Sequence, residues 1–167
     1  MTAPIWLQWA FMATFMGVLV WGAIADIRTR LIPNNVSIAL VILYFLYSFS
    51  GYANWTDGLL GGLIVFLLSF LLFRYGAMGG GDAKLMTSIA FWVGTKGILA
   101  FGLITSLAGG VLALFFLLRQ KYHKETEQED DTPYGNTEPI VLPYGVAIAA
   151  GGLVTIWLTQ FVNSGVI

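Results

Sequence analysis

The 167-residue chain is 57% hydrophobic and only 10% charged, whereas a soluble domain carries about 25% charged residues, so its apolar surface has no place in water. Its net charge of −1 offers no basic surface for nucleic acid. It contains no cysteine, which excludes disulfides, thiolate zinc sites and cysteine nucleophiles.

The six longest stretches without Asp, Glu, Lys or Arg are 1–25, 31–56, 58–73, 85–95, 97–118 and 139–167. Crossing the hydrocarbon takes about 20 apolar residues, about 17 at the short end. The pattern predicts an all-α, polytopic membrane protein of about six transmembrane helices in one domain spanning 1–167. Helix one is expected at roughly 3–25. With no basic n-region and a long apolar run, it reads as a retained helix rather than a cleaved signal peptide. It ends at Asp26, in Ala-Asp-Ile-Arg-Thr-Arg-Leu-Ile-Pro-Asn. Asp26 is either an interfacial acid paired with Arg28 or Arg30, or a group with a task. Pro33 stops the first helix from running on, and Asn34 or Asn35 is expected to cap the second.

Helix two runs to about residue 50. Gly51, Asn54 and Asp57 mark a short loop, in which Asp57 is expected to be solvated. Helix three, about 58–73, carries Gly58 and Gly62 at a spacing that permits close helix contact. After Arg74 and Tyr75 comes Met-Gly-Gly-Gly-Asp-Ala-Lys-Leu, residues 78–85. Asp82 suits the N-cap of helix four and its dipole. Capping does not explain three consecutive glycines, Gly79 to Gly81, which suit a backbone that dips into the protein or receives an extended peptide. The apolar run that follows is short, so Asp82 is expected below the membrane surface. Lys84 either holds this site by hydrogen bonding or anchors the helix at the interface.

Helix five is expected at about 97–118. A hydrophilic loop over 119–139 follows, containing the acidic run at 125–131 and the only histidine, His123, read as a surface residue. Helix six is expected to begin near residue 140, with Pro143-Tyr144-Gly145 in its first turns. Pro143 is either a plain N-terminal helix residue or one that frees backbone groups for a neighbouring site.

Seven of the eight basic residues fall in loops one, three and five, and only Lys96 lies in an even loop. The odd loops are therefore expected in the cytoplasm and both termini outside it. Asp26 and Asp82 share that cytoplasmic side. Two carboxylates held close cannot both ionise easily, so such a pair shares a proton. One member can then take a proton from water while the other polarises a carbonyl and donates to a leaving amine. That chemistry needs no metal or cofactor.

These residues resemble a known family. Gly79-Gly80-Gly81-Asp82-Ala83-Lys84-Leu85 is similar to the Gly-x-Gly-Asp-x-Lys-Leu signature of type IV prepilin peptidases. Asp26 followed by Ile32-Pro33-Asn34 resembles the family's first catalytic motif, and Pro143-Tyr144-Gly145 its late Pro-Phe-Gly pattern. The resemblance implies an aspartic endopeptidase of the inner membrane, with Asp26 and Asp82 as catalytic acids facing the cytoplasm. Pro33, Asn34, Gly79, Gly81, Lys84, Pro143 and Gly145 would be supporting motif residues. Its partners would be prepilin-like proteins with a basic leader and a hydrophobic helix, in a lipid bilayer, cut before that helix. Bifunctional relatives carry a cysteine-bearing N-terminal region and methylate the new N-terminus. The chain shows no such region and no cysteine, so no methyltransferase activity is expected, and it is most similar to the short tight-adherence (Flp-type) pilus peptidases. Preflagellin peptidases and presenilin-like intramembrane proteases share the two-aspartate logic. Outside this class, intramembrane acids also mark a small ion-coupled carrier, which predicts acids in mid-helix, and a non-catalytic scaffold predicts that the aspartates are dispensable.

Overall fold

A computed structural model describes residues 4–126 and 143–163. Most of the acidic run and residues 140–142, where the last helix was expected to begin, lie outside the described residues. So does most of the hydrophilic 119–139 segment, although its first part continues a helix to Thr126.

The described chain is entirely helical: α1 (Ile5–Thr29), α2 (Asn34–Phe49), α3 (Trp55–Arg74), α4 (Gly80–Thr126) and α5 (Tyr144–Asn163). Three spans, Ile5–Thr29, Trp55–Arg74 and Gly80–Arg119, are long and apolar enough to cross a membrane, and Asn34–Phe49 and Tyr144–Thr159 are shorter apolar helices. The exterior is apolar over much of its area, with Leu63, Phe66, Leu67, Leu107 and Val111 among its exposed side chains. A helix surrounded by hydrocarbon needs no polar face, because its backbone groups are satisfied internally.

α4 is two helices in succession, which together with the other four gives the expected six helical segments among the described residues. They meet at Gly94 (φ 65°, ψ 179°), a conformation essentially confined to glycine. The turn takes a single residue, so no polar loop was needed around Lys96. Asp57 corrects an expectation here. It is partly buried rather than solvated, and its Oδ1 accepts a hydrogen bond from Thr95 Oγ1 just past the break. A methyl group on Gly94 would collide with the same carboxylate. Replacing Gly94 by alanine is therefore expected to cost about 1–3 kcal/mol, read as a fall in the thermal midpoint in detergent. Gly102→Ala on the same element, where nothing lies within 4 Å of the added methyl, is the control and should be neutral or stabilising.

The Gly58 and Gly62 spacing serves close packing of α3 on α4: a methyl at Gly62 would stand 2.6 Å from the Phe91 ring. α2 and α3 end on the same device, a glycine in the left-handed region (Gly51, Gly76). The next residue's N–H reaches back in each case, Tyr52 to Tyr47 O and Ala77 to Leu72 O. The core beneath is built from Phe15 and Leu19 of α1, Val36 and Leu40 of α2, Leu85 and Ile89 of α4 and Ile148 of α5. It ties together the helix ends where α1 stops and α2, α4 and α5 begin.

Candidate active site

Asp26 stands in the last turn of α1 and is only 5% exposed, while Arg28 and Arg30 are exposed. Arg30 takes the left-handed conformation (φ 53°) and its N–H closes the helix on Asp26 O at 2.8 Å. A carboxylate at a helix C-terminus faces the negative end of its own helix dipole. The compensation comes from 119 residues away: Gly145 N–H, in the first turn of α5, donates to Asp26 Oδ2 at 2.8 Å. The first N–H groups of a helix have no partner within it, so the start of α5 supplies this donor and a favourable dipole. The Gly145 N–H is free because it lies in the first turn of α5, which is compatible with both readings of Pro143. Pro143 directly precedes α5, and its carbonyl accepts from Val146 N–H at 3.2 Å.

Asp82 lies in the first turn of α4, half-buried. It does not occupy the N-cap as expected. Gly79 does: its carbonyl accepts from Ala83 N–H at 3.1 Å. Asp82, three residues on, turns its carboxylate back to the Gly79 N–H, the reciprocal half of a capping box. From there it lies within electrostatic range of Asp26. The glycine triplet works by its lack of side chains rather than by unusual dihedrals, since none of Gly79, Gly80 and Gly81 has positive φ. A methyl on Gly79 would stand 2.9 Å from Asp82 Oδ2, one on Gly80 3.2 Å from the Phe73 ring, and one on Gly81 3.3 Å from Ile32 Cβ.

Asn34 and Lys84 also meet, across 50 residues of sequence. Lys84 Nζ donates to Asn34 Oδ1 at 2.9 Å, joining the first turns of α2 and α4. This corrects the expected capping role of Asn34. The N-cap of α2 is Pro33, and no side chain caps it. Pro33 sets an extended entry (φ −62°, ψ 137°), which leaves the Asn34 side chain for Lys84. Sequence reasoning missed the use made of Ile32. It fills the space left by two absent side chains, those of Gly81 and Gly145. Two small residues flanking one branched residue gave no signal until α1, α4 and α5 were assembled. Among the described residues, no group of three or more His, Asp or Glu converges as a metal site would require.

Two acids from distant parts of the sequence therefore sit at one end of the helical bundle, each held by backbone N–H groups. The family model described as "Type IV leader peptidase family" matches residues 13–114, a segment that includes both acids and Pro33, Asn34, Gly79, Gly81 and Lys84. Proteins named prepilin leader peptidase/N-methyltransferase are similar. The one from Xanthomonas campestris is 32% identical over 83% of this chain and 46% of its own length. That of Bacillus subtilis is 31% identical over 83% and 52%. That of Pectobacterium carotovorum is 28% identical over 60% and 43%. The chain spans about half the length of the curated relatives it matches. No solved structure gives a significant match. With the family model covering more than half of the sequence, the chain belongs to the type IV leader peptidase family.

Proposed function

We propose that the protein is a membrane aspartic endopeptidase that removes the leader of prepilin-like proteins at the cytoplasmic face, with Asp26 and Asp82 as the catalytic acids. The observation that carries this reading is a buried carboxylate at the end of α1 and a half-buried one at the start of α4 within electrostatic range of each other. Such a pair works as a unit. One carboxylate takes a proton from water, and the other donates to the scissile carbonyl and then to the leaving amine. The partly apolar surroundings strengthen both effects by lowering the local dielectric. Gly145 and Gly79 hold the acids through their N–H groups. Lys84, bonded to Asn34, fixes the first turn of α4 against α2. The activity assigned is proteolysis; the methyl transfer in the relatives' names is not assigned to this chain.

The basic residues flanking both acids support a cytoplasmic position for them by the positive-inside rule. A precursor with a basic leader and an apolar helix would present its cut site there. A coupled ion carrier would need acids in mid-helix, whereas these stand in the last turn of α1 and the first turn of α4. Co-expression with pilin-type precursors, followed by mass measurement of their N-termini, tests the proposal. The expected result is a precursor shortened by its leader, immediately before its apolar segment. Uncut precursors across a panel of tight-adherence, type IV and preflagellin substrates would refute it.

A further inference from the structure

Between α2 and α3, floored by the first half of α4, lies a groove of about 850 Å³. It begins at Asn34, Phe73, Gly80 and Lys84, at the end of α4 that carries Asp82, and runs inward to Ile42, Phe66 and Ser88; neither aspartate lines it. Each wall therefore contributes about eight residues, or about 12 Å of helix. A helix about 10 Å wide with a 5.4 Å pitch occupies about 420 Å³ per turn, so the groove holds about two turns.

Its polar groups have an order. At the entrance Lys84 donates to Asn34 Oδ1, which leaves the Asn34 amide N–H groups and the remaining ammonium hydrogens as donors only. One turn inward on α2, Ser37 lines the groove at 9% exposure, and its hydroxyl oxygen is buried with no hydrogen-bond partner. An unpaired buried hydroxyl is costly, and an occupant bringing an acceptor would relieve it after one side-chain rotation. Beyond Ser37 the lining is mainly apolar, with the hydroxyls of Thr87 and Ser88 already bonded to Ala83 O and Leu85 O.

We propose that this groove is the docking site for the apolar helix of the substrate. The first two turns after the scissile bond would lie along α2 and α3, and peptide carbonyl oxygens would be taken by Lys84, Asn34 and Ser37 where the chain is extended for cleavage. The inference rests on the peptidase reading, and the two agree in direction. A substrate cut on the N-terminal side of its apolar segment must pass from the acids into the membrane, and the groove runs that way. A lipid chain would satisfy the apolar lining but would give Ser37 no acceptor at that depth.

The chain has no cysteine, so Val41→Cys, near the inner end of the groove, is a unique thiol. The probe is a synthetic precursor with a basic leader, a glycine, an apolar segment of about 20 residues and a single cysteine in that segment's second turn. In an Asp82→Asn background the probe stays uncut. Disulfide formation is expected with Val41→Cys and not with Leu107→Cys, which is 69% exposed on the second half of α4. Equal crosslinking at both positions, or none at Val41→Cys, overturns the proposal, as does a groove labelled by photoreactive lipid that the probe fails to displace. With both aspartates intact, Val41→Trp is expected to lower kcat/KM for the full probe at least about tenfold more than for a peptide lacking the apolar segment. An equal loss on both substrates would contradict docking there. If the unmodified protein cuts no precursor, the peptidase reading fails, and the crosslink still decides docking.

Discussion

Asp82→Asn and Asp26→Asn are each expected to lower precursor cleavage by at least about 10³-fold, within the range that acid–base groups contribute, while the protein stays folded. Asparagine is the diagnostic replacement because it keeps an acceptor oxygen. At position 82 that oxygen can still accept from Gly79 N–H. At position 26 it can still accept from Gly145 N–H. What asparagine cannot do is exchange a proton with water or with a leaving amine. A structural role for either acid therefore predicts near-normal cleavage in the asparagine variants, and a catalytic role predicts its loss. Alanine would not separate them, since it removes the helix-start contact and the proton together.

Because the acids act as one unit, the double variant is expected to be scarcely worse than either single one. Initial rates from the mass of the released product, with thermal midpoints of each variant in detergent, are the measurements. Retention of more than about a tenth of the wild-type rate in either single variant, at an unchanged midpoint, would lie outside what loss of an essential acid–base group allows. That result would remove the dyad.

The features legible in the sequence were those marked by a break in hydrophobicity. Asp26 and Asp82 stand out because charge interrupts long apolar runs, and the helix count follows from the same runs. Less legible was anything that depends on which face of a helix is buried. Helices that are apolar all round carry little facial signal, so neither the α2–α3 groove nor the contacts of Ile32 could be read in advance. Asp57 was misjudged for a related reason. Its partner Thr95 is near only because Gly94 turns α4 within one residue, and a lone glycine in an apolar run is equally compatible with an unbroken helix. Residue type suits Asn34 to the cap, yet Pro33 fills that position and a lysine 50 residues away claims the side chain. Local propensity yielded to tertiary contact in each case.

Gly145→Ala is expected to reduce the cleavage rate about 10²-fold, the scale of loss that follows when reacting groups shift by about 1 Å. The added methyl would stand 2.7 Å from Asp26 Oδ2, 2.9 Å from its Cγ and 2.9 Å from Ile32 Cδ1. Carbon atoms do not approach this closely, so either the carboxylate swings away or the start of α5 lifts off α1. Each movement lengthens the 2.8 Å bond from Gly145 N–H and displaces Asp26 from Asp82. Stability should change far less than rate, because alanine is the better helix former by about 1 kcal/mol and offsets part of the strain. Gly17→Ala on α1, with nothing within 4 Å of the new methyl, should keep the full rate. The decisive variant adds Ile32→Val. Valine lacks the Cδ1 atom, so it vacates one of the contacts and lets the start of α5 settle back toward Asp26. Partial recovery in the pair, beyond the sum of the separate effects, would show that the two residues act through the same space. A full rate for Gly145→Ala alone would mean that Asp26 does not depend on α5 for its position.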